Sequence, residues 1–199
     1  LVGSEMCIRD SYTQWVEQRL ADGQMRNERH LWTSVRPNGP RRPYDLNRLE
    51  LRICDLITDP AQLLAITALL ELRVLHLREN PTQLDPLQAS QLDLDELAAL
   101  ADNNDAAAAR SSLDAPLHHW RDGRAIDCRS WITELIDQLT PLAERLGISG
   151  VLAPLTPILE TGNQAMRWSR AVDGGSHIST LLHQGTLEME AQEQISPVS

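Results

Sequence analysis

The run Arg48-Leu49-Glu50-Leu51-Arg52 sets one carboxylate between two guanidinium groups at a spacing of two residues. Leu46 to Asp55 alternates as a strand does, with Leu49, Leu51 and Ile53 on one face and Arg48, Glu50, Arg52 and Cys54 on the other. Neighbours on one face of a strand stand ~7 Å apart. An acid between two arginines at that separation suits a magnesium–nucleotide site, with the carboxylate on the metal and the guanidinium forks on phosphate oxygens. A solvent-exposed edge strand shows the same pattern with no function, so both readings stand at this point. Cys54 shares the charged face by alternation but reads as a small buried thiol.

More cations come just before. Trp32 to Arg36 reads as a short strand and Pro37-Asn38-Gly39-Pro40 as the turn after it, with Arg36, Arg41 and Arg42 flanking that turn. From Arg19 to Arg52 there are eight arginines against four acids, in a chain whose formal net charge is −10. A basic island in an acidic protein points to a local anion site, with a solvated arginine-rich surface as the alternative. The overall charge argues against nucleic acid and anionic lipid as partners. All 18 basic residues are arginine. Within this chain that excludes a P-loop lysine and a Schiff-base or acyl-adenylate lysine. Any phosphate must be held by arginine, backbone amides or a metal.

The elements that must position these residues are mostly helices. Asp59 and Pro60 supply a cap and a first-turn proline, and Ala61 to Leu77 is apolar around most of its circumference. That pattern predicts a helix buried on more than one side and backing a sheet, with His76 half-buried or capping near its end. Asn80 to Ala89 reads as a proline-punctuated connection. Leu92, Leu94, Leu97 and Leu100 open another helix, which the alanines at 106–109 favour continuing. Leu117 to Trp120 is a strand candidate closed by Asp122-Gly123, and in a strand His118 and His119 face opposite ways, so they form no metal pair by themselves. Trp131 to Leu146 is the clearest amphipathic helix, capped by Asp127 or Ser130 and kinked or divided at Pro141. Further helices are expected at Leu152–Leu159, Gln164–Val172 and Ile178–Gln194, the last broken at Gly185, before a frayed tail at Ile195–Ser199.

The composition, 42% hydrophobic and 23% charged, is that of a globular chain, and 199 residues suffice for one domain or for part of a larger one. No apolar run approaches the ~20 residues of a membrane span. Cys7, Cys54 and Cys128 form no CxxC pair, which suits a reducing cytosol better than a zinc knuckle or a disulfide framework. A dinucleotide fingerprint, a P-loop, a nucleophile elbow and an HExxH helix are all missing. The chain opens with Leu1, and Leu1–Ser11 has neither helical nor strand period. Those residues read as extraneous or disordered, and the chain as a piece of a longer product.

Asn47 to Asp55, followed by Leu56 to Leu77, resembles glutamate–cysteine ligase family 2, whose members carry a strand of E-x-R-x-x-D form before an apolar helix. The family includes bacterial carboxylate–amine ligases and cyanobacterial and proteobacterial glutamate–cysteine ligases. The approach HLWTSVRPNGPRRPYDL resembles the cyanobacterial version. Asn104 to Ala115 resembles the family's Asn-x-Trp-x-Ala-x-Arg-Tyr-Gly-Leu-Asp-Ala helix: Asn104, Arg110, Leu113, Asp114 and Ala115 match, whereas Ala106, Ser111 and Ser112 replace its Trp, Tyr and Gly. Leu139 to Gly147 and Gly162 to Trp168 are similar to its C-terminal helices, the second at a Gly-x-x-Ala-x-Arg sequence.

The resemblance implies an α+β fold, part of a glutamine-synthetase-like catalytic domain in which antiparallel strands packed with several helices bear the site. Residues 12–194 would be the helix-rich C-terminal half of one such domain and 195–199 a tail. It implies an ATP- and Mg2+-dependent ligase that joins the γ-carboxylate of glutamate to the amine of cysteine through an acyl phosphate, in cytoplasmic glutathione biosynthesis. Glu50 is then the metal ligand and Arg52 the catalytic phosphate or acyl-phosphate contact. Arg36, Arg41, Arg42 and Arg110 are nucleotide or substrate-carboxylate contacts, with a structural ion pair as the other reading of Arg110 and of Arg167. Family members carry further metal-binding glutamates on an earlier strand that this chain lacks, so the chain alone is expected to be inactive. The alternatives are a ligase for a different amine acceptor, or a non-catalytic helical module with a basic patch for an acidic partner. Oligomeric state is not fixed by these patterns.

Overall fold

The computed structural model describes residues 17–18, 20–23, 35–37, 49–51 and 57–195. The chain divides into two compact units, 1–56 and 57–199.

In the first unit, β1 (Val35–Pro37) and β2 (Leu49–Leu51) pair antiparallel, with Val35 opposite Leu51, Arg36 opposite Glu50 and Pro37 opposite Leu49. Both segments were expected to be extended, and the described parts are. Pro37 belongs to the strand rather than to the turn, at the strand end where a missing N–H is tolerated. The remainder of both expected strands, the turn residues 38–40, Arg41, Arg42, Arg48, Arg52, Cys7, Cys54, segment 1–11 and residues 196–199 lie outside the described residues.

The second unit is built on α1 (Pro60–Glu79), which starts where the sequence places it: the Asp59 side chain accepts from the Ala61 and Gln62 amides. Ala65, Ala68, Leu69 and Leu72 form its buried stripe. They pack on Leu139, Leu142 and Ala143 of α5 (Cys128–Arg145), on Leu152 of a 3-10 turn (Ser149–Leu152), and on Leu155 and Ile158 of α6 (Leu155–Thr161). Leu72 and Leu139 are 0% exposed, and burying each contributes roughly 1.5–3 kcal/mol. The expectation that α1 is buried on several sides is corrected here. Its partners in this unit are helices, and Leu63, Leu64, Leu70 and Val74 remain exposed. By length and composition alone α1 is also apolar enough to cross a membrane, with mean hydropathy 1.3 over its most apolar window. It carries Glu71, Arg73, Arg78 and Glu79 in its second half.

Other elements refine the sequence reading. The connection after α1 is itself helical, as α2 (Pro81–Leu84) and α3 (Pro86–Ala89), each begun by a proline and the second capped by Asp85. A capping box of Asp93 and Glu96 opens α4 (Leu94–Ser111). After a 3-10 turn at Ser112–Asp114 comes a hairpin of β3 (Pro116–His118) and β4 (Ala125–Asp127), with Leu117 opposite Ile126. β4 was not foreseen, because three residues running directly into α5 leave no alternation to read. Asp127, rather than Ser130, caps α5 by accepting the Ser130 amide at 2.9 Å. Pro141 does not divide α5: it sits on the exposed side, where water can serve the carbonyl it leaves unbonded.

Two helices complete the unit, α7 (Gln164–Asp173) and α8 (Ile178–Ile195). Gly185 does not break α8. A Cβ there would stand 3.1 Å from Thr58 Cγ2 and 3.3 Å from Trp168 Cζ2, so this glycine permits close approach. Beside it the buried pair Thr58 and Gln164 is satisfied, the Thr58 amide donating to Gln164 Oε1 at 2.8 Å. The described residues thus make a helix-rich α+β fold with two small antiparallel strand pairs.

Candidate functional site

Chemistry-bearing residues gather in two places, one in each unit. In the first, the antiparallel register sets Arg36 directly across from Glu50. Cross-strand partners lie closer (Cα atoms ~4.5–5.5 Å apart) than alternate residues along one strand. In backbone register, Arg36 is therefore a closer neighbour of Glu50 than a residue two positions along the strand. Divalent magnesium commonly takes only one or two protein carboxylates, filling its octahedron with water and phosphate oxygens. Glu50 is of the residue type that provides such an oxygen ligand, so its chemistry is compatible with that role. Among the described residues no three His, Cys, Asp or Glu side chains converge on a metal position.

The second place is a cavity of about 390 Å3 in the helical unit, between the end of α4, the 3-10 turn after it and the junction of α6 with α7. Two segments far apart in sequence meet there: Arg110, Ser111, Ser112 and Asp114 from one, Ala165, Met166, Ser169 and Arg170 from the other. Its volume lies in the ~300–1,000 Å3 range of small-molecule sites.

The guanidinium groups around this cavity are not equivalent. Arg129 is committed to structure: its Nε and Nη2 donate to Asp114 Oδ1 at 3.0 and 2.7 Å, and its Nη1 donates to the Leu159 carbonyl. Arg170 donates to the carbonyls of Met166 and Thr161. Arg110 has no hydrogen bond or ion pair among the described residues and is exposed on the last turn of α4. A free guanidinium beside the Ser111 and Ser169 hydroxyls can receive a phosphate or carboxylate. Arg167, the other helix arginine of the sequence reading, donates through Nη1 to the Gly162 carbonyl at 2.6 Å and makes no ion pair among the described residues.

Two residues beside this cavity have unusual backbone conformations. Ser112 has φ 51° and ψ −127°, and among the described residues it alone of the non-glycines has positive φ. That conformation is costly for an L-residue, and here the residue replaces the glycine of the resembled motif. Its hydroxyl accepts from Asn163 Nδ2 at 2.7 Å, fastening the α4 end to the start of α7. Gly162 closes the other side at φ 98°; a Cβ there would meet Arg170 Nη2 at 2.7 Å. Three further motif residues are structural. Asn104 binds the backbone of His118, and Leu113 and Ala115 are buried. Cys128, half-buried at the start of α5, has its thiol pushed up by burial and is poorly suited to attack as a thiolate.

Of the arginines and acid singled out by sequence, the structure describes Arg110 and Arg167 and the backbone of Arg36 and Glu50; Arg41, Arg42, Arg48 and Arg52 lie outside the described residues. Sequence reasoning missed Ser111, Ser112, Ser169 and Arg170 as cavity residues. The one available signal was that Ser112 occupies a motif glycine.

The class defined by these features is a helix-rich α+β protein, with an arginine- and serine-lined cavity in the second unit and, in the first, an antiparallel strand pair whose register sets Arg36 opposite Glu50. The chain belongs to glutamate–cysteine ligase family 2 (GCS2), whose family model matches residues 8–194. It is 27% identical over 164 residues to a Gloeobacter violaceus protein named "Putative glutamate–cysteine ligase 2", covering 81% of this chain and 40% of that protein. It is 29% identical over 156 residues to a Frankia casuarinae protein named "Putative glutamate–cysteine ligase 2-1", covering 78% of this chain and 38% of that one. A Frankia alni protein with that same name is 30% identical over 161 residues, 81% of this chain and 39% of its own length. The chain thus spans about two-fifths of the curated relatives it matches. No solved structure matches it.

Proposed function

We propose that this chain is the C-terminal portion of a glutamine-synthetase-like catalytic domain of an ATP- and Mg2+-dependent ligase, which joins the γ-carboxylate of glutamate to the amine of cysteine. The observation that carries the reading is the family match over residues 8–194. A Mg2+-bound nucleotide would supply the γ-phosphoryl group that activates the carboxylate. What the chain does is hold charge. Glu50 contributes one carboxylate to the metal, and Arg36 and Arg52 meet phosphate or acyl-phosphate oxygens, which phosphoryl transfer needs more than it needs covalent chemistry. Arg41, Arg42 and Arg110 serve the nucleotide or the substrate carboxylate. No lysine is required.

The test is an assay of the complete ligase chain for ATP hydrolysis dependent on glutamate and cysteine, with other amines in parallel. Cysteine-dependent turnover supports the reading. Turnover only with another amine replaces cysteine as acceptor, and no ATP hydrolysis with any amine overturns the ligase assignment. These 199 residues alone are expected to form no γ-glutamylcysteine.

A further inference from the structure

A second, smaller cavity of about 50 Å3 lies elsewhere in the helical unit, walled by Arg73 of α1, by His119, Trp120 and Arg121 of the β3–β4 turn, and by Trp131 and Gln138 of α5. Among the described residues no Asp or Glu lines it. Arg73 is half-buried there with no hydrogen bond or ion pair among the described residues, and burial alone pushes its pKa down. A guanidinium removed from water without a counter-charge is costly unless an anion joins it.

The other donors are fixed in place. The Arg121 guanidinium lies 4.9 Å from the centre of the Trp120 ring and donates through Nη2 to the Gln83 carbonyl at 3.1 Å. The His119 ring sits between Trp120 and Trp131, with centroids 5.6 and 5.1 Å away. His119 Nδ1 is 3.2 Å from the Arg121 amide nitrogen. A backbone N–H can only donate, so Nδ1 accepts, and the neutral ring carries its proton on Nε2 as a free donor. Asp122, 3.8 Å from Nδ1, does not line the cavity.

We propose that this cavity binds a small oxyanion, inorganic phosphate or the carboxylate of a small acid, between Arg73, Arg121, the His119 imidazole and the Gln138 amide. The size decides the class: about 50 Å3 exceeds the ~10–15 Å3 that admits one water and falls far short of the ~300 Å3 of a nucleotide-sized pocket. The site is distinct from the Arg110 cavity and does not depend on the ligase reading.

The test is an NMR titration of the 199-residue protein with sodium phosphate, and separately with sodium acetate, against sodium chloride at matched ionic strength. The indole N–H signals of Trp120 and Trp131 report the site. Both should shift saturably with an oxyanion and not with chloride, and phosphate at ten times its Kd should raise Tm by about 3–6 °C. Arg73→Met should weaken binding at least tenfold; should that variant not fold, Arg121→Met, which keeps the stem over Trp120, is expected to weaken it likewise. Saturation by phosphate alone assigns a phosphate site, and saturation by both assigns a general carboxylate and phosphate site. No saturable shift with either anion, or unchanged binding in a folded Arg73→Met protein, overturns the proposal.

Discussion

Asn104 on α4 binds both backbone groups of His118 on β3: its Oδ1 accepts the His118 N–H at 2.9 Å and its Nδ2 donates to the His118 carbonyl at 2.8 Å. The other side of β3 is already paired with β4. A side-chain amide thus stands in for a third strand and covers an edge that would otherwise present unpaired groups. Asn104→Asp retains an acceptor but loses the donor and brings a carboxylate against a carbonyl. Urea unfolding should show a loss of roughly 1–2 kcal/mol. An unchanged midpoint would mean that the hairpin is held by other contacts.

Ser112 should discriminate sharply between substitutions. Its φ of 51° and ψ of −127° suit glycine and oppose β-branching. Ser112→Gly relieves strain while giving up the hydrogen bond from Asn163, so its stability should stay within about 1 kcal/mol of the parent. Ser112→Val should fall at least about 2 kcal/mol below Ser112→Gly. Equal unfolding midpoints for the two variants would contradict the strained backbone.

His119 gives the helical unit an acid-sensitive element. Burial is the first cause holding its pKa below the ordinary 6.5, Arg124 and Arg121 add to it, and Asp122 and Glu134 act the other way. The unfolded chain therefore takes up this proton before the folded one does. The contribution of neutral His119 is complete above about pH 6.5 and is lost as pH falls through that value toward the folded pKa. Asp127, whose carboxyl is lowered from 3.8 by the Ser130 hydroxyl and amide, acts only at lower pH. Unfolding midpoints between pH 7.5 and 5 should decline in the parent and decline less in His119→Phe, which keeps a ring between the two tryptophans. Equal slopes would remove His119 as the cause.

Much of the helical unit is legible because caps and stripes are local. Asp59-Pro60, the Asp93/Glu96 box and the leucine stripe of α5 each signal an element through residues three or four apart. Gly185 and Pro141 mislead for the opposite reason: their consequences depend on Thr58 and Trp168, or on facing water, and neither is encoded nearby. The candidate site divides the same way. The strand around Glu50 is visible in its alternation, whereas the pairing of Glu50 with Arg36 is a matter of register across 14 positions. The cavity at Arg110 joins segments some 50 residues apart, and its serines have no periodicity to reveal them.

The most direct test of the ligase reading is Mg2+-dependent nucleotide binding by the complete chain, comparing the parent with Glu50→Gln and with the exchange Arg36→Glu/Glu50→Arg. A metal carboxylate opposite a phosphate-binding arginine requires Glu50→Gln to weaken magnesium–nucleotide binding at least tenfold. The exchange should restore the cross-strand charge pair, worth about 0.2–1 kcal/mol, without restoring binding. Nucleotide binding equal to the parent in Glu50→Gln, or recovered by the exchange, would make the pair structural and contradict the account.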